Sequence, residues 1–262
     1  MIPKGFIAQW RTTAPWDTDA KIEQDLIISR AIVEIFSHPL LASNLAFRGG
    51  TALHKLFLAP AARYSEDIDL VQMNAGPIGP VFDALHEKLN SWLGVPSRKL
   101  GTDIVIFTYR VQSEGYPQST LKLKIEINTR EHFSVLGLQK REFSVDSRWF
   151  SGNCKVPTFG IEELLATKLR ALYQRRKGRD LFDLWLGFTK TDTSAELITK
   201  CFDEYMRKSK LKVSAKEYEA NLEEKLKHPE FIKDTADLLR NDILYSIDDA
   251  YQLFLQKILP VL

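Results

Sequence analysis

The sequence predicts an α+β protein, with a first part that mixes strands and helices and a second part that is all helix. Three observations carry this. Residues Thr120–Thr129 alternate, with Leu121, Leu123, Ile125 and Ile127 on one side and Lys122, Lys124, Glu126 and Asn128 on the other, the two-residue period of a half-buried strand. Short apolar runs before residue 157 are interleaved with amphipathic helical stretches. From Gly160 onward almost every segment has helical spacing. The change near residue 157 divides the chain into expected domains 1–157 and 158–262.

Taken in order, Asp17–Phe36 reads as a helix through Ile22, Leu26, Val33 and Phe36, beside a second row of Ile28, Ile32 and Ile35. So wide an apolar arc implies burial within the domain. Asp17, Thr18 and Asp19 are candidate N-caps, and His38-Pro39 is a stop. Leu45–Arg48 is a short apolar run that ends at a glycine pair, and Thr51–Leu58 is helical with Leu53, Leu56 and Phe57 inward. Ile68–Val71 is a strand, Val81–Leu93 an amphipathic helix, and Asp103–Val111 and Thr120–Thr129 are two further strands. A polar, irregular stretch follows around Ser144–Pro157. Gly160–Arg176 is then helical through Leu165, Leu169 and Leu172, and Lys216–Lys227, Asp234–Leu244 and Asp248–Ile258 continue the helical pattern.

Composition narrows the function classes. The 262 residues carry 36 Lys+Arg against 34 Asp+Glu, a net charge of +2, and 44% are hydrophobic, the profile of a soluble globular protein. With so small a net charge, nucleic-acid binding would require basic residues gathered in one place. No run approaches the ~18 apolar residues that span a bilayer, and Met1–Trp10 lacks the apolar core of a secretory signal. The expected location is the cytoplasm, with no membrane partner. Cys154 and Cys201 lie far apart without a histidine in ligand spacing, so two reduced thiols are expected rather than a disulfide or a zinc site.

Three segments carry chemistry. In Phe47-Arg48-Gly49-Gly50-Thr51-Ala52-Leu53 a strand runs through two glycines into a helix. Glycines let a ligand approach bare backbone, and a helix N-terminus offers N–H groups and a positive dipole end to phosphate. Strand-glycine-helix turns also occur where nothing binds. In Arg63-Tyr64-Ser65-Glu66-Asp67-Ile68-Asp69-Leu70 the strand period puts Asp67 and Asp69 on one face. Two carboxylates ~5 Å apart repel by roughly 3 kcal/mol at an effective dielectric near 20, and a shared divalent cation reverses that repulsion. A solvated acidic edge is the plainer reading. Glu126, on the polar face of its strand, is a candidate third carboxylate, or a salt-bridge partner of Lys122 or Lys124. The third segment gathers Arg170, Arg175, Arg176, Lys177 and Arg179, a cluster suited to polyanions or, more simply, to the C-terminal dipole of a helix. Lys168 and Asp180 flank it from opposite sides and are placed to face a common cleft.

Together with Glu23-Gln24-Asp25, Lys168-Leu169-Arg170-Ala171-Leu172 and Arg179-Asp180-x-x-Asp183-Leu184, these segments stand in one order over residues 23–184. The series resembles the AbiEii/AbiGii family of nucleotidyltransferase toxins, to which the mycobacterial MenT toxins belong. One position departs, because Gln24 stands where related sequences tend to carry Lys. No recognised motif covers the tail after about residue 190.

The resemblance implies a polymerase-beta-like nucleotidyltransferase core followed by a helical domain, and a toxin of a bacterial toxin–antitoxin pair, often linked to phage defence. It implies metal binding by Asp67 and Asp69, joined at a looser match by Glu126, with Mg²⁺ or Mn²⁺ as cofactor. It implies a nucleotide-phosphate loop of Gly49, Gly50, Thr51 and Ser65, triphosphate contact by Lys168, and a later acidic residue needed for activity, Asp180. The implied reaction moves NMP from NTP to RNA, in particular the 3′ end of tRNA, with the basic run Arg175–Arg179 as a contact. A protein hydroxyl such as that of Ser65 is a second acceptor. A cognate antitoxin is the implied partner. Two other functions suit the same residues: a nucleotide- or RNA-binding module without turnover, and a sensor whose helical half engages the antitoxin.

Overall fold

The computed structural model describes residues 2–114 and 118–262. Contacts group them into two compact units, one of Met1–Phe133 with Leu138–Phe159, the other of Ser134–Gly137 with Gly160–Leu262.

The first unit opens with helix α1 (Lys4–Trp10), which the sequence reading left unassigned, and helix α2 (Asp19–Phe36). Thr18 caps α2 by accepting from the Lys21 N–H, and the expected apolar arc is buried almost all round, from Ile22 to Phe36. Pro39 stops α2 and also starts α3 (Pro39–Asn44), since proline suits the first turn of a helix where no N–H is needed. Strand β1 (Leu45–Arg48) leads into α4 (Gly49–Leu56), which begins two residues before the expected Thr51. Strand β2 (Asp67–Gln72), helix α5 (Gly79–Leu93), and strands β3 (Ser97–Leu100), β4 (Ile104–Gln112), β5 (Thr120–Asn128), β6 (Leu138–Asp146) and β7 (Ser151–Phe159) complete it.

Among the described residues these strands form one seven-stranded mixed sheet in the order β3-β4-β5-β2-β1-β7-β6. The neighbours β2 and β5, and β1 and β7, run parallel; the other pairs are antiparallel. Ile68, Leu70, Phe107, Ile125 and Ile127 fill one face and are buried, with Phe82 of α5 edge-on to Phe107. By the two-residue period, Asp67, Asp69, Lys124 and Glu126 occupy the opposite face.

Two readings need correction. The supposedly irregular stretch Ser144–Pro157 lies within the β6–β7 hairpin. Strand β6 lies at a sheet edge and carries Lys140, Arg141 and Glu142 exposed in a row; among its residues only Val145 is buried, so its alternation is weak. Asp234–Leu244 is not a helix: a short 3₁₀ turn, Lys233–Thr235, is followed by turns. Asp234 is engaged with the Arg179 N–H at 3.1 Å and with the Lys177 and Arg179 side chains. Leu244 is 91% exposed, while Leu238, Leu239 and Ile243 are half-buried on irregular chain rather than on a helical face. Strand β3 was missed for the same reason as β6, being an edge strand exposed throughout.

The second unit packs α6 (Ile161–Gln174), α7 (Gly178–Lys190), α8 (Ala195–Lys208), α9 (Ala215–Leu226), α10 (Pro229–Ile232) and α11 (Ile247–Lys257) around Leu165, Leu169, Phe182, Phe202, Tyr218 and Phe254. Residues 134–137 join it through the fully buried Glu163. That carboxylate accepts from Ser134 Oγ at 2.7 Å, Val135 N at 2.8 Å, Leu136 N at 3.0 Å and Tyr205 Oη at 2.9 Å. Lys225 donates to the Leu172 and Tyr173 carbonyls at the end of α6, and burial pushes its amine down to about 8.

Candidate active site

The glycine turn and the aspartate pair are neighbours. The β1–β2 register puts Arg48 beside Asp69, so the turn that leaves β1 arrives next to the carboxylates. Gly49 takes φ +79°, and a Cβ there would collide with the Asp69 carboxylate, whose Cγ would stand only 2.8 Å away. Gly50 is closed off beneath: a Cβ would run into the buried Arg63 guanidinium, with Ser65 Oγ 3.4 Å away. Both glycines are therefore needed for close packing, and the turn exposes backbone rather than side chains. Arg48, the residue before α4, makes no side-chain cap.

Thr51, 1% exposed, ties the two segments together. Its hydroxyl donates to the Asp67 carbonyl at 2.5 Å. It stands 2.8 Å from Ser65 Oγ. A threonine has one hydroxyl proton, so with that proton on a carbonyl the Ser65 hydroxyl supplies the second bond.

Asp67 sits half-buried among like charges. Burial, and next the charge of Asp69, lift the Asp67 carboxyl from 3.8 to about 6; Lys124 opposes this and Glu126 adds to it. The β2–β5 register aligns Asp67 with Lys124 and Asp69 with Glu126. Glu126 is in an ion pair with Lys124, two residues along the same strand. Among the described residues no group of three or more His, Cys, Asp or Glu is arranged to hold a metal. The mutually repelling pair Asp67 and Asp69 could hold an ion that takes one or two protein carboxylates and fills its shell with water and phosphate oxygens.

The amino-acid sequence matches the family described as nucleotidyl transferase AbiEii toxin, type IV toxin–antitoxin system, over residues 30–261. The chain belongs to the AbiEii family. Its fold is that of solved nucleotidyltransferases. It is similar to MenT4, a nucleotidyltransferase toxin from Mycobacterium tuberculosis, at 14% identity over 97% of this chain and 99% of that one, with a TM-score of 0.57. It is likewise similar to JHP933 from Helicobacter pylori, at 18% identity over 92% and 90% of the chains with a TM-score of 0.57. A putative nucleotidyltransferase from H. pylori matches at 18% identity over 91% and 93%, with a TM-score of 0.56. No curated protein matches the sequence.

In the second unit of this AbiEii protein, Lys168 and Asp180 meet. Lys168 Nζ lies 3.5 Å from Asp180 and 2.9 Å from Asp183, and both carboxylates are fully buried. Arg175 grips Asp180 through Nε at 2.7 Å and Nη2 at 2.9 Å. The rest of the basic run is also engaged: Arg176 with Glu230, Lys177 and Arg179 with Asp234, while Arg170 lies 4.7 Å from the Tyr205 ring centre. These pairs explain the cluster as structure.

The Glu23-Gln24-Asp25 triplet is buried and structural too. Asp25 accepts from the Trp10 and Trp16 indoles and from Lys55 at 3.0 Å, locking α2 to α4. Gln24 donates to the Lys122 carbonyl at 3.0 Å, so an amide serves at this departure from the family pattern. Arg63 and Asp183 are also buried charged residues, and it is burial, which no local pattern in the sequence signals, that marks them. Both cysteines are free and buried, and among the described residues no helix is long and apolar enough to cross a membrane.

Proposed function

We propose that this AbiEii toxin transfers NMP from an NTP to RNA, at the 3′ end of tRNA, with release of pyrophosphate and in dependence on Mg²⁺ or Mn²⁺. The observation that carries the reading is the packing of the Asp69 carboxylate against Gly49, which puts an anion-repelling acidic pair beside an anion-attracting helix start. Only a bound cation makes such neighbours useful to one phosphate chain.

Asp67 and Asp69 would hold the divalent ion. When bound, the ion neutralises charge on the phosphates and acidifies the acceptor hydroxyl. Gly49 and Gly50 let the turn pack against Asp69 and Arg63, the N–H groups at the start of α4 would meet phosphate oxygens, and Thr51 keeps Ser65 and the start of β2 in place. The family resemblance gives Lys168 to the triphosphate and Asp180 a part in activity; within their own unit the two are ion-paired. The acceptor oxygen attacks the α-phosphorus as the bond to the departing pyrophosphate breaks. The protein contributes positioning and fixed charge rather than a covalent intermediate. The tRNA acceptor, the cytoplasmic location and the cognate antitoxin rest on the family resemblance.

The test incubates purified protein with each labelled NTP, Mg²⁺ and total RNA. Label is expected on tRNA and is expected to vanish with Asp69→Ala. Absence of label from every RNA, with all four NTPs and with Mn²⁺ as well, would overturn the reading.

A further inference from the structure

The carboxylate face of the sheet carries its own cation. Parallel pairing sets Lys124 beside Asp67 and Glu126 beside Asp69. Ile68, Leu70, Ile125 and Ile127 fill the other face, so these four charged side chains share one surface. The Lys124 ammonium pairs with Glu126, and the two side chains are 36% and 21% exposed, shielded enough for the pairing to matter. Glu126 stands where a third metal-binding carboxylate would be useful, yet its charge is already matched.

We propose that Lys124 is the built-in counter-cation of this face, and that it holds Glu126 off the divalent ion. Without nucleotide the site then takes its ion on Asp67 and Asp69 alone. The physical basis is simple competition: an ammonium and a divalent ion cannot both sit on one carboxylate, and a positive charge next to the site repels the ion. This rests on the reading that Asp67 and Asp69 bind a divalent metal.

The experiment measures Mn²⁺ binding to the nucleotide-free full chain at neutral pH, by the electron paramagnetic resonance signal of free Mn²⁺. Removing a unit charge roughly 6 Å from a divalent ion is worth about tenfold in affinity. Lys124→Met is therefore expected to bind Mn²⁺ about tenfold more tightly than wild type. The gain from Lys124→Met is expected to be clearly smaller when measured against Glu126→Gln alone, where only the loss of a repelling charge is left to act. Lys124→Gln serves if the methionine variant does not fold, as judged by its melting curve. Unchanged or weaker binding in the Lys124 variant overturns the proposal, as does an equal gain in the two backgrounds. Wild-type binding that is absent, or that ignores Asp67→Asn with Asp69→Asn, instead overturns the metal reading on which the proposal stands.

Discussion

At Gly49 the backbone enters a region that side chains rarely adopt, and the Asp69 carboxylate fills the place where a Cβ would be. Gly49→Ala should cost about 1–2 kcal/mol in backbone strain and displace Asp69 as well. A shift near 1 Å at a reacting centre is worth roughly 100-fold in rate, so labelling of RNA should fall by about that factor in a protein that still melts cooperatively. Asp67 yields a pH prediction with a definite sign. Its folded value, about 6, lies above the 3.8 of the unfolded chain, so between those values the folded state binds more protons. Metal-free protein should therefore lose stability as pH rises from about 4 to 6, and Asp67→Asn should flatten that part of the urea-midpoint profile. Saturating Mg²⁺ should cancel or reverse the fall, because the ion binds the ionised carboxylates and so favours the deprotonated folded state. A wild-type midpoint indifferent to pH over this window would count against the burial of Asp67 that, ahead of the Asp69 charge, raises its value.

Helix α6 presents Lys168 to α7, where Asp180 and Asp183 are both buried. Lys168→Met leaves two carboxylates with less positive charge between them, and breaking a buried ion pair from one side costs about 3–5 kcal/mol. The urea midpoint should drop accordingly, and Lys168→Arg should recover part of it. Activity of Lys168 variants is thus informative only beside their stability. Elements were legible where one face is buried and the other wet: β5 shows this alternation along its length, and α5 and α6 show the helical counterpart. They were illegible where an edge strand buries little or nothing, as in β3 and most of β6, and where spaced apolar residues mimic a helix in a segment of turns, as in 234–244. The candidate site was legible in part. Gly49, Gly50 and Thr51 stand in one short stretch and Ser65, Asp67 and Asp69 in another, and the structure brings these two stretches together. The partners of Glu126, Lys168 and Asp180 were not legible, because a charged residue reads the same whether it meets solvent, substrate or another side chain.

Across the whole molecule each unit has an apolar core of its own, and neither core includes Asp67 or Asp69. Chelation of divalent ions with EDTA should therefore abolish RNA labelling while leaving the far-UV circular dichroism spectrum intact; a collapse of the spectrum would show a metal holding the fold together. The amino-acid sequence by itself determined the α+β class, the family and the placement of the acidic pair and glycine turn, because these depend on period and residue type over a few neighbouring positions. Only the tertiary structure decided that Asp69 packs on Gly49, that Lys124 claims Glu126, that Asp25 locks α2 to α4, and that Glu163 draws residues 134–137 into the second unit. Such contacts join segments far apart in the chain or choose among nearby charges, and burial and geometry, which no local pattern encodes, make the choice.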